Sequence, residues 1–375
     1  MKIVVDKDIP FLKGVLERFA DVVYLPGRAI SRSDVIDADA LIVRTRTKCN
    51  ETLLKDTRVR FIASATIGFD HIDAAFCEAQ DIRWTNAPGC NSSSVQQYVA
   101  AALCHLSNKL KFQLAQKTIG IVGVGNVGSK VASLCSTLGM RVLLNDPPRE
   151  RAEGGGGFVP LKRILEEADI VTLHVPLDYE GKDRTFHLVD KSFLGSLKQS
   201  PILFNTSRGE VVETRTLVST LKERRLAACV LDVWEDEPDI DQELLGLVDI
   251  ATPHIAGYSA DGKANGTAMS VRALSRFFGL GIDDWFPENV PLPDSTSVEL
   301  DVEGLKRQKI ACKLVSCTYN ILADDQRLRT SPGTFEEQRA RYPLRREFQA
   351  YTAQLLRANE DIRTLATKLG FKTAA

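Results

Sequence analysis

Short apolar runs recur along the chain at strand length, separated by polar or helix-periodic stretches. KIVV, VVYL, ALIVR and RFIASAT are runs of Val, Ile, Leu and Ala near the start, and Pro10–Ala20 has helical spacing between the first two. After Lys117 the rhythm restarts with TIGIVGVG, RVLLND, DIVTLHV, PILFNTS, AACVLDVW and DIATPHIAG. Runs that are apolar throughout, rather than alternating, suit strands covered on both faces. Strands alternating with helical stretches predict an α/β fold of two Rossmann-like, doubly wound parallel-sheet units in series. Ser92–Leu114 is periodic and predicts the helix that connects them. No internal repeat is visible.

A third segment follows WFPENVPLPDSTS, where Pro287, Pro291 and Pro293 mark a linker. Residues 301–375 carry 14 Lys+Arg against 9 Asp+Glu, a local excess of +5, and Glu347–Leu369 reads as helical. So small and charged a segment gains from burying Leu314, Val315, Tyr319, Ile321, Leu322, Phe348, Leu355 and Leu356 against a second copy. Residues 286–375 are therefore expected to form a helix-containing α/β dimerisation module, making the protein a homodimer. The EGGGG run at Glu153–Gly157 reads as a flexible loop.

Composition narrows the functional classes. A chain of 375 residues predicts two or three domains. A net charge of −1 argues against a strongly basic nucleic-acid binder. No apolar run approaches the roughly 20 residues of a membrane span, and MKIVVDKD lacks the features of a secretory signal. The eight cysteines form no CxxC pair, which suits free thiols in a reduced cytoplasm. No metal is expected.

The strongest motif is the stretch TIGIVGVGNVGSKVASLCSTLGMRVLLNDP. Gly123, Gly125 and Gly128 have GxGxxG spacing between a strand and a helix, and Val127, Val131, Leu134 and Leu138 line one face of that helix. Gly123 permits the tight turn, Gly125 lets a pyrophosphate approach, and Gly128 lets helix pack on strand. The helix N-terminus offers N–H groups to phosphate. Asp146 follows 18 residues after Gly128 and suits a ribose diol while repelling a 2′-phosphate, so NAD is the expected cofactor. Arg149 softens that preference slightly.

Three later segments, LFNTSRGEVV, VLDVWEDEP and IATPHIAGYS, each follow a strand of the second unit. Ligands of open parallel sheets bind at the carboxyl ends of strands, so these segments are placed to carry chemistry. Arg208, Glu237 and His254 are their reactive residues. Oxidation of a 2-hydroxy acid needs a base for the hydroxyl proton, a partner for that base and a cation for the carboxylate. Histidine, a carboxylate and arginine suit these tasks in turn.

Together the dinucleotide turn, NTSRGEVV, LDVWEDEP and PHIAG resemble the D-isomer-specific 2-hydroxyacid dehydrogenase family over roughly residues 1–285. The resemblance implies that Arg208 holds the substrate carboxylate, that Glu237 partners the histidine and that His254 moves the proton. It implies a substrate-binding domain over 1–95, completed by 256–285, an NAD-binding domain over 96–255, and substrate in the cleft. VRTRTKCNETLL, ATIGFDHID, APGCNSSSVQQYV and YPLRREF are similar to a branch of the family acting on a small phosphorylated hydroxy acid, with a C-terminal dimerisation domain. By that resemblance Thr45, Thr66, Gly68 and Tyr258 contact substrate. Asn126, Val127, Asp146, Val175, Thr206, Ser207, Arg208, Asp232 and Gly257 line the NAD site with the glycines. Val175 stands where threonine is expected, so only a main-chain or packing contact carries over.

Arg44, Arg46 and Lys48 put three cations in five residues just after a strand, more than an unphosphorylated substrate needs. If the strand continues, Arg44 and Arg46 share a face. Arg346 of YPLRREF is a further candidate for substrate, set against the plainer reading of Arg345 and Arg346 as surface salt-bridge residues. Two rival functions are a related substrate such as 3-phosphoglycerate, and a non-catalytic NAD-sensing binding protein.

Overall fold

The computed structural model describes residues 1–198 and 200–373; the last two residues of the expected 286–375 module lie outside the described residues. The chain divides into two compact units, Met1–Asn91 with Tyr258–Pro291, and Ser92–Gly257 with Leu292–Ala375. The C-terminal segment is thus grouped with the second sheet.

The first unit is a five-stranded parallel sheet. Its strands are β1 (Lys2–Asp6), β2 (Asp21–Leu25), β3 (Ala40–Val43), β4 (Phe61–Ser64) and β5 (Arg83–Thr85), in the order β2-β1-β3-β4-β5. Strand alternation sorts the side chains into two cores. Val4, Leu41, Val43 and Ile62 share one. Ile3, Val5, Ala40, Ile42, Phe61 and Ala63 share the other, with Val271 and Leu274 of the returning helix Ala260–Phe278. Both faces are therefore covered, as the uninterrupted apolar runs require. That helix starts at Ser259, whose hydroxyl accepts from the Gly262 N–H at 2.8 Å, and stops at left-handed Gly279.

Two expectations fail here. Pro10–Ala20 is a series of turns and not a helix. Its Leu12 and Leu16 are fully buried at helical spacing, but Phe11 and Gly14 have positive φ, which breaks a helical ladder. Strand β3 ends at Val43, so Arg44 and Arg46 are turn residues and the shared-face argument does not apply. The short edge strand β5 has an exposed arginine and left no apolar run to read.

The second unit holds β6 (Thr118–Val122), β7 (Arg141–Asn145), β8 (Ile170–Leu173), β9 (Ile202–Asn205), β10 (Ala228–Leu231) and β11 (Ile250–Ala251), all parallel. Their order is β11-β10-β9-β8-β6-β7. The chain leaves β6 for β7 on one side and returns to β8 on the other, so the topological switch lies between β6 and β8. The helix Ser92–Lys109 opens the unit and is buried on most of its surface; it ends short of the expected Leu114.

The C-terminal segment adds a three-stranded parallel sheet of β12 (Ser297–Asp301), β13 (Thr352–Leu356) and β14 (Lys372–Thr373). Its helices Ile321–Thr330 and Phe335–Ala340 send Leu328 and Phe335 into the core that also holds Val171, Leu203 and Cys229 of the nucleotide sheet. The segment thus has a smaller sheet of its own and shares core with the nucleotide sheet. The expected helix Glu347–Leu369 is three elements: a 3₁₀ turn at Phe348–Ala350, β13, and a helix over Glu360–Leu369 capped by Asn359. Pairing of β13 with β12 overrides the helical spacing, and Arg357 at positive φ turns the chain between strand and helix.

Candidate active site

The nucleotide turn is built by close backbone contacts. Gly123 has φ +87°, and a Cβ there would lie 2.6 Å from the His174 carbonyl oxygen beyond β8. A Cβ on Gly128 would lie 2.0 Å from the Gly123 carbonyl oxygen, so the helix Asn126–Thr137 sits on the strand only with glycine there. Around Gly125 there is open space, which leaves the backbone approachable at the helix N-terminus. Asp146, beyond β7, accepts from the Val124 N–H at 2.8 Å and from the Arg149 N–H at 3.0 Å, so its carboxylate stands against the turn. The Arg149 guanidinium donates to the Val124 carbonyl. A cradle that excludes side chains at two glycines and opens at the third, with a carboxylate beside it, fits a dinucleotide.

At the end of β9, the buried Asn205 amide ties the arginine turn. Its Oδ1 accepts from the Ser207 N–H and hydroxyl, at 3.1 and 2.7 Å, and its Nδ2 donates to the Arg208 carbonyl at 2.8 Å. A Cβ on Gly209 would lie 1.9 Å from the Trp234 carbonyl, so this turn rests directly on the backbone of the next. There the Trp234 N–H donates to Glu237 Oε1 at 2.9 Å, and the indole N–H donates to the Thr252 carbonyl at 3.0 Å.

Glu237 Oε2 lies 2.8 Å from His254 Nδ1. Burial opposes charge on Glu237, but the charge and hydrogen bond of His254, the Trp234 N–H and the charge of Arg339 outweigh it and hold the carboxyl below its usual range. His254 has φ +55°, an uncommon conformation for a residue with a side chain, and its N–H donates to the Asp232 carbonyl at 2.7 Å. The Asp232 carboxylate, 1% exposed, accepts from the Thr252 hydroxyl at 2.7 Å and from the N–H groups of Ile255 and Ala256 at 2.8 Å each. Burial pushes this carboxyl up, against the charge of His254 and the groups it accepts from.

In the first unit, Arg44, Thr45, Arg46, Thr66 and Gly68 lie beyond the carboxyl ends of β3 and β4, and Tyr258 precedes the returning helix. Arg44 Nη1 donates to the Asp8 carbonyl at 3.3 Å, Thr45 is exposed and Arg46 half-buried. Thr66 Oγ1 lies 2.9 Å from Ser64 Oγ and donates to the Gly68 carbonyl at 3.3 Å. Ser64 Oγ in turn lies 3.1 Å from Nε2 of buried His71. Tyr258 has Lys263 Nζ over its ring at 5.3 Å.

Some of the supporting residues escaped the sequence reading. His174 lies with its ring nitrogens 3.0 and 3.1 Å from the hydroxyls of Thr172 and Thr206, so it orients a candidate NAD residue. Desolvation draws its pKa down to about 3, so the ring is neutral. Its place directly after β8 was the available signal. Asn205 and Ser64 end strands at the same edge of their sheets. Arg345 and Arg346 are 5% and 9% exposed, which corrects their reading as surface residues; the Arg346 carbonyl accepts from Gln97 Nε2 at 2.9 Å.

The glycine cradle and the Glu237–His254 pair, at the carboxyl edge of one parallel sheet, define the dinucleotide-dependent dehydrogenase class. Residues 92–256 match the family model "D-isomer specific 2-hydroxyacid dehydrogenase, NAD binding domain", and residues 291–370 match a domain of unknown function, DUF3410. A D-lactate dehydrogenase from Aquifex aeolicus, solved with NAD and lactic acid, is 26% identical with a TM-score of 0.63, covering 78% of this chain and 100% of that one. Erythronate-4-phosphate dehydrogenase of Bacteroides fragilis is 51% identical over 94% of this chain and 98% of that protein. The enzyme of the same name from Porphyromonas gingivalis is 46% identical over 94% and 95%. The chain belongs to the erythronate-4-phosphate dehydrogenase family.

The network behind Thr66 has a consequence for stability. Burial, set against the charge of Asp70, draws the His71 pKa down to about 4, below the ~6.5 of an unfolded chain. The unfolded chain therefore takes up this proton first. The contribution is fully present above about pH 6.5 and is lost as pH falls toward 4. At ~1.4 kcal/mol per pKa unit it amounts to at most about 3–4 kcal/mol. Between pH 7 and 4.5 the urea midpoint of His71→Gln should fall less than that of the unaltered protein. Equal falls would show that His71 is not held neutral.

Proposed function

We propose that this chain oxidises 4-phospho-D-erythronate to (R)-3-hydroxy-2-oxo-4-phosphooxybutanoate with NAD, a step in pyridoxal 5′-phosphate biosynthesis. The observation that carries the reading is that similarity to a relative of that name covers 94% of the chain, and so most of the C-terminal segment, while the Glu237–His254 pair is in place.

NAD would be held by Gly123, Gly125, Asn126, Val127 and Gly128, with Asp146 at the ribose and Val175, Thr206, Ser207, Arg208, Asp232 and Gly257 beyond it. When bound, it supplies the acceptor for the hydride from C2. The residues of the chain manage the proton and the charges. With Nδ1 of His254 engaged by Glu237, Nε2 is left as the basic nitrogen, and it takes the C2 hydroxyl proton as the carbonyl forms. The Glu237 carboxylate stabilises the resulting imidazolium. Arg208 pairs with the substrate carboxylate and polarises the C2 oxygen. Arg44 and Arg46 are assigned to the phosphate, with Thr45, Thr66, Gly68 and Tyr258 as further substrate contacts and Arg346 as an additional cation.

We further infer a cytoplasmic homodimer joined through the C-terminal segment. Of the residues expected to meet a second copy, Leu314, Val315, Tyr319, Ile321, Phe348 and Leu355 are instead buried within the chain itself, while Leu322 and Leu356, joined by Leu344, are exposed and offer apolar surface. Oxidation of 3-phosphoglycerate, or NAD binding without turnover, is less favoured, because the named full-length relatives share neither description. An assay of the purified chain with NAD and each hydroxy acid decides among the three.

His254→Asn should lower kcat by about 10²–10⁴-fold with NAD affinity retained. Glu237→Gln should shift the acid limb of the oxidation profile to lower pH, because the imidazolium loses its paired charge. A loss below tenfold in the first, or an unmoved profile in the second, counts against the relay. Asp146→Ser should narrow the preference for NAD over NADP, and equal use of both by the unaltered protein would contradict the ribose assignment. Sedimentation should give twice 41.4 kDa; a monomer at micromolar concentration would remove the dimer.

A further inference from the structure

One buried cation of the C-terminal segment reaches the loop that carries His254. Arg345 Nη2 donates to the carbonyls of Ile255 and Ala256, at 3.2 and 2.6 Å. The N–H groups of those same two residues go to the Asp232 carboxylate. The Ile255–Ala256 peptide therefore spans two buried opposite charges, its N–H on Asp232 and its carbonyl on Arg345. Hydrogen bonds to charged groups in a low-dielectric setting are stronger than neutral ones, and a peptide bonded at both ends is held in plane and register.

The guanidinium is itself built in. It lies over the Tyr319 ring at 4.6 Å and the Tyr342 ring at 5.7 Å. The hydroxyls of both tyrosines donate to Asp324 Oδ2, at 2.8 and 2.6 Å, and Arg327 pairs with Asp324 Oδ1 at 3.0 Å. Asp324 thus fixes the two rings that flank Arg345. None of these groups lies on the nucleotide sheet; they belong to the helix Ile321–Thr330 and the chain on either side of it.

We propose that Arg345 is a positioning residue of the dehydrogenase: through the Ile255 and Ala256 carbonyls it holds the loop that keeps His254 against Glu237. This rests on the relay reading above. His254 sits at positive φ, a strained conformation that persists only where its surroundings hold it. Asp232 secures the N–H side of the loop and Arg345 the carbonyl side. The C-terminal segment is then part of the catalytic apparatus of its own chain, whatever it does between chains.

The test uses the full-length protein with Arg345→Met, which keeps the stem and removes charge and donors, and Arg345→Lys, which keeps the charge but ends one bond short of the Nη2 position that serves both carbonyls. Hydrogen exchange of the Ile255 and Ala256 amides in cofactor-free protein should accelerate at least tenfold in Arg345→Met, with Gly123–Gly128 unchanged. In both variants kcat should fall about 10–100-fold with NAD affinity within threefold. Adding Arg345→Met to His254→Asn should cost little more turnover than His254→Asn alone. Native exchange and native kcat in both variants, with His254→Asn inactive, would overturn the proposal and leave the relay standing. An active His254→Asn would instead overturn the relay. If Arg345→Met does not fold, Arg345→Lys decides: a folded lysine variant with native kcat refutes the positioning role.

Discussion

The buried carboxylate of Asp232 is the constraint on which the second unit's chemistry depends. It lies just beyond β10 and takes up two consecutive backbone N–H groups and the Thr252 hydroxyl, while its own carbonyl accepts from His254. A carboxylate so enclosed is stable only with such partners. The partners in turn have no freedom, since leaving any of them would expose an unpaired buried charge. His254 therefore inherits its position from a group that does not touch it through a side-chain hydrogen bond. Thr252 extends the same network to Tyr98 at 2.8 Å and, through its carbonyl, to the Trp234 indole. The two loops that carry Glu237 and His254 are in this way one hydrogen-bonded body.

Parallel pairing supplies the other half of the arrangement. Every strand of both larger sheets runs in the same direction as its neighbours, so within each sheet the carboxyl ends emerge on one edge. Arg44, Thr66, Asp146, His174, Arg208 and His254 lie close behind strand ends, and several of these turns have their backbone tied by a nearby polar side chain. Asn205 ties one turn, Asp146 another. The Gly209 contact with Trp234 is packing of backbone on backbone, which no larger residue permits.

Much of this was legible in the residue order. Fully buried parallel strands are continuous apolar runs, and TIGIV, IVTL and ILFN are readable because both their faces are covered. The glycine spacing and the acid after the next strand are local and share one supersecondary unit, so order alone implies their proximity. Helical spacing misled twice, for opposite reasons. In Pro10–Ala20 the buried leucines recur at i and i+4, yet positive φ at Phe11 and Gly14 forbids a helix. In Glu347–Leu369 the chain had a β12 strand to pair with, and a long-range ladder outweighed local propensity.

The amino-acid order by itself determined the elements whose cause is local: the strand runs, the glycine turn, the acid beyond β7, and the reactive residue types after β9, β10 and β11. Only the tertiary structure decided which distant groups share a hydrogen bond. That Arg345 and Asp232, 113 positions apart, grip the same peptide is invisible in any window of the chain. An arginine's composition reads as surface, because charge is costly to bury. Its burial here is allowed only by carbonyls, rings and carboxylates that folding brings from four separate stretches, and no stretch alone carries that information.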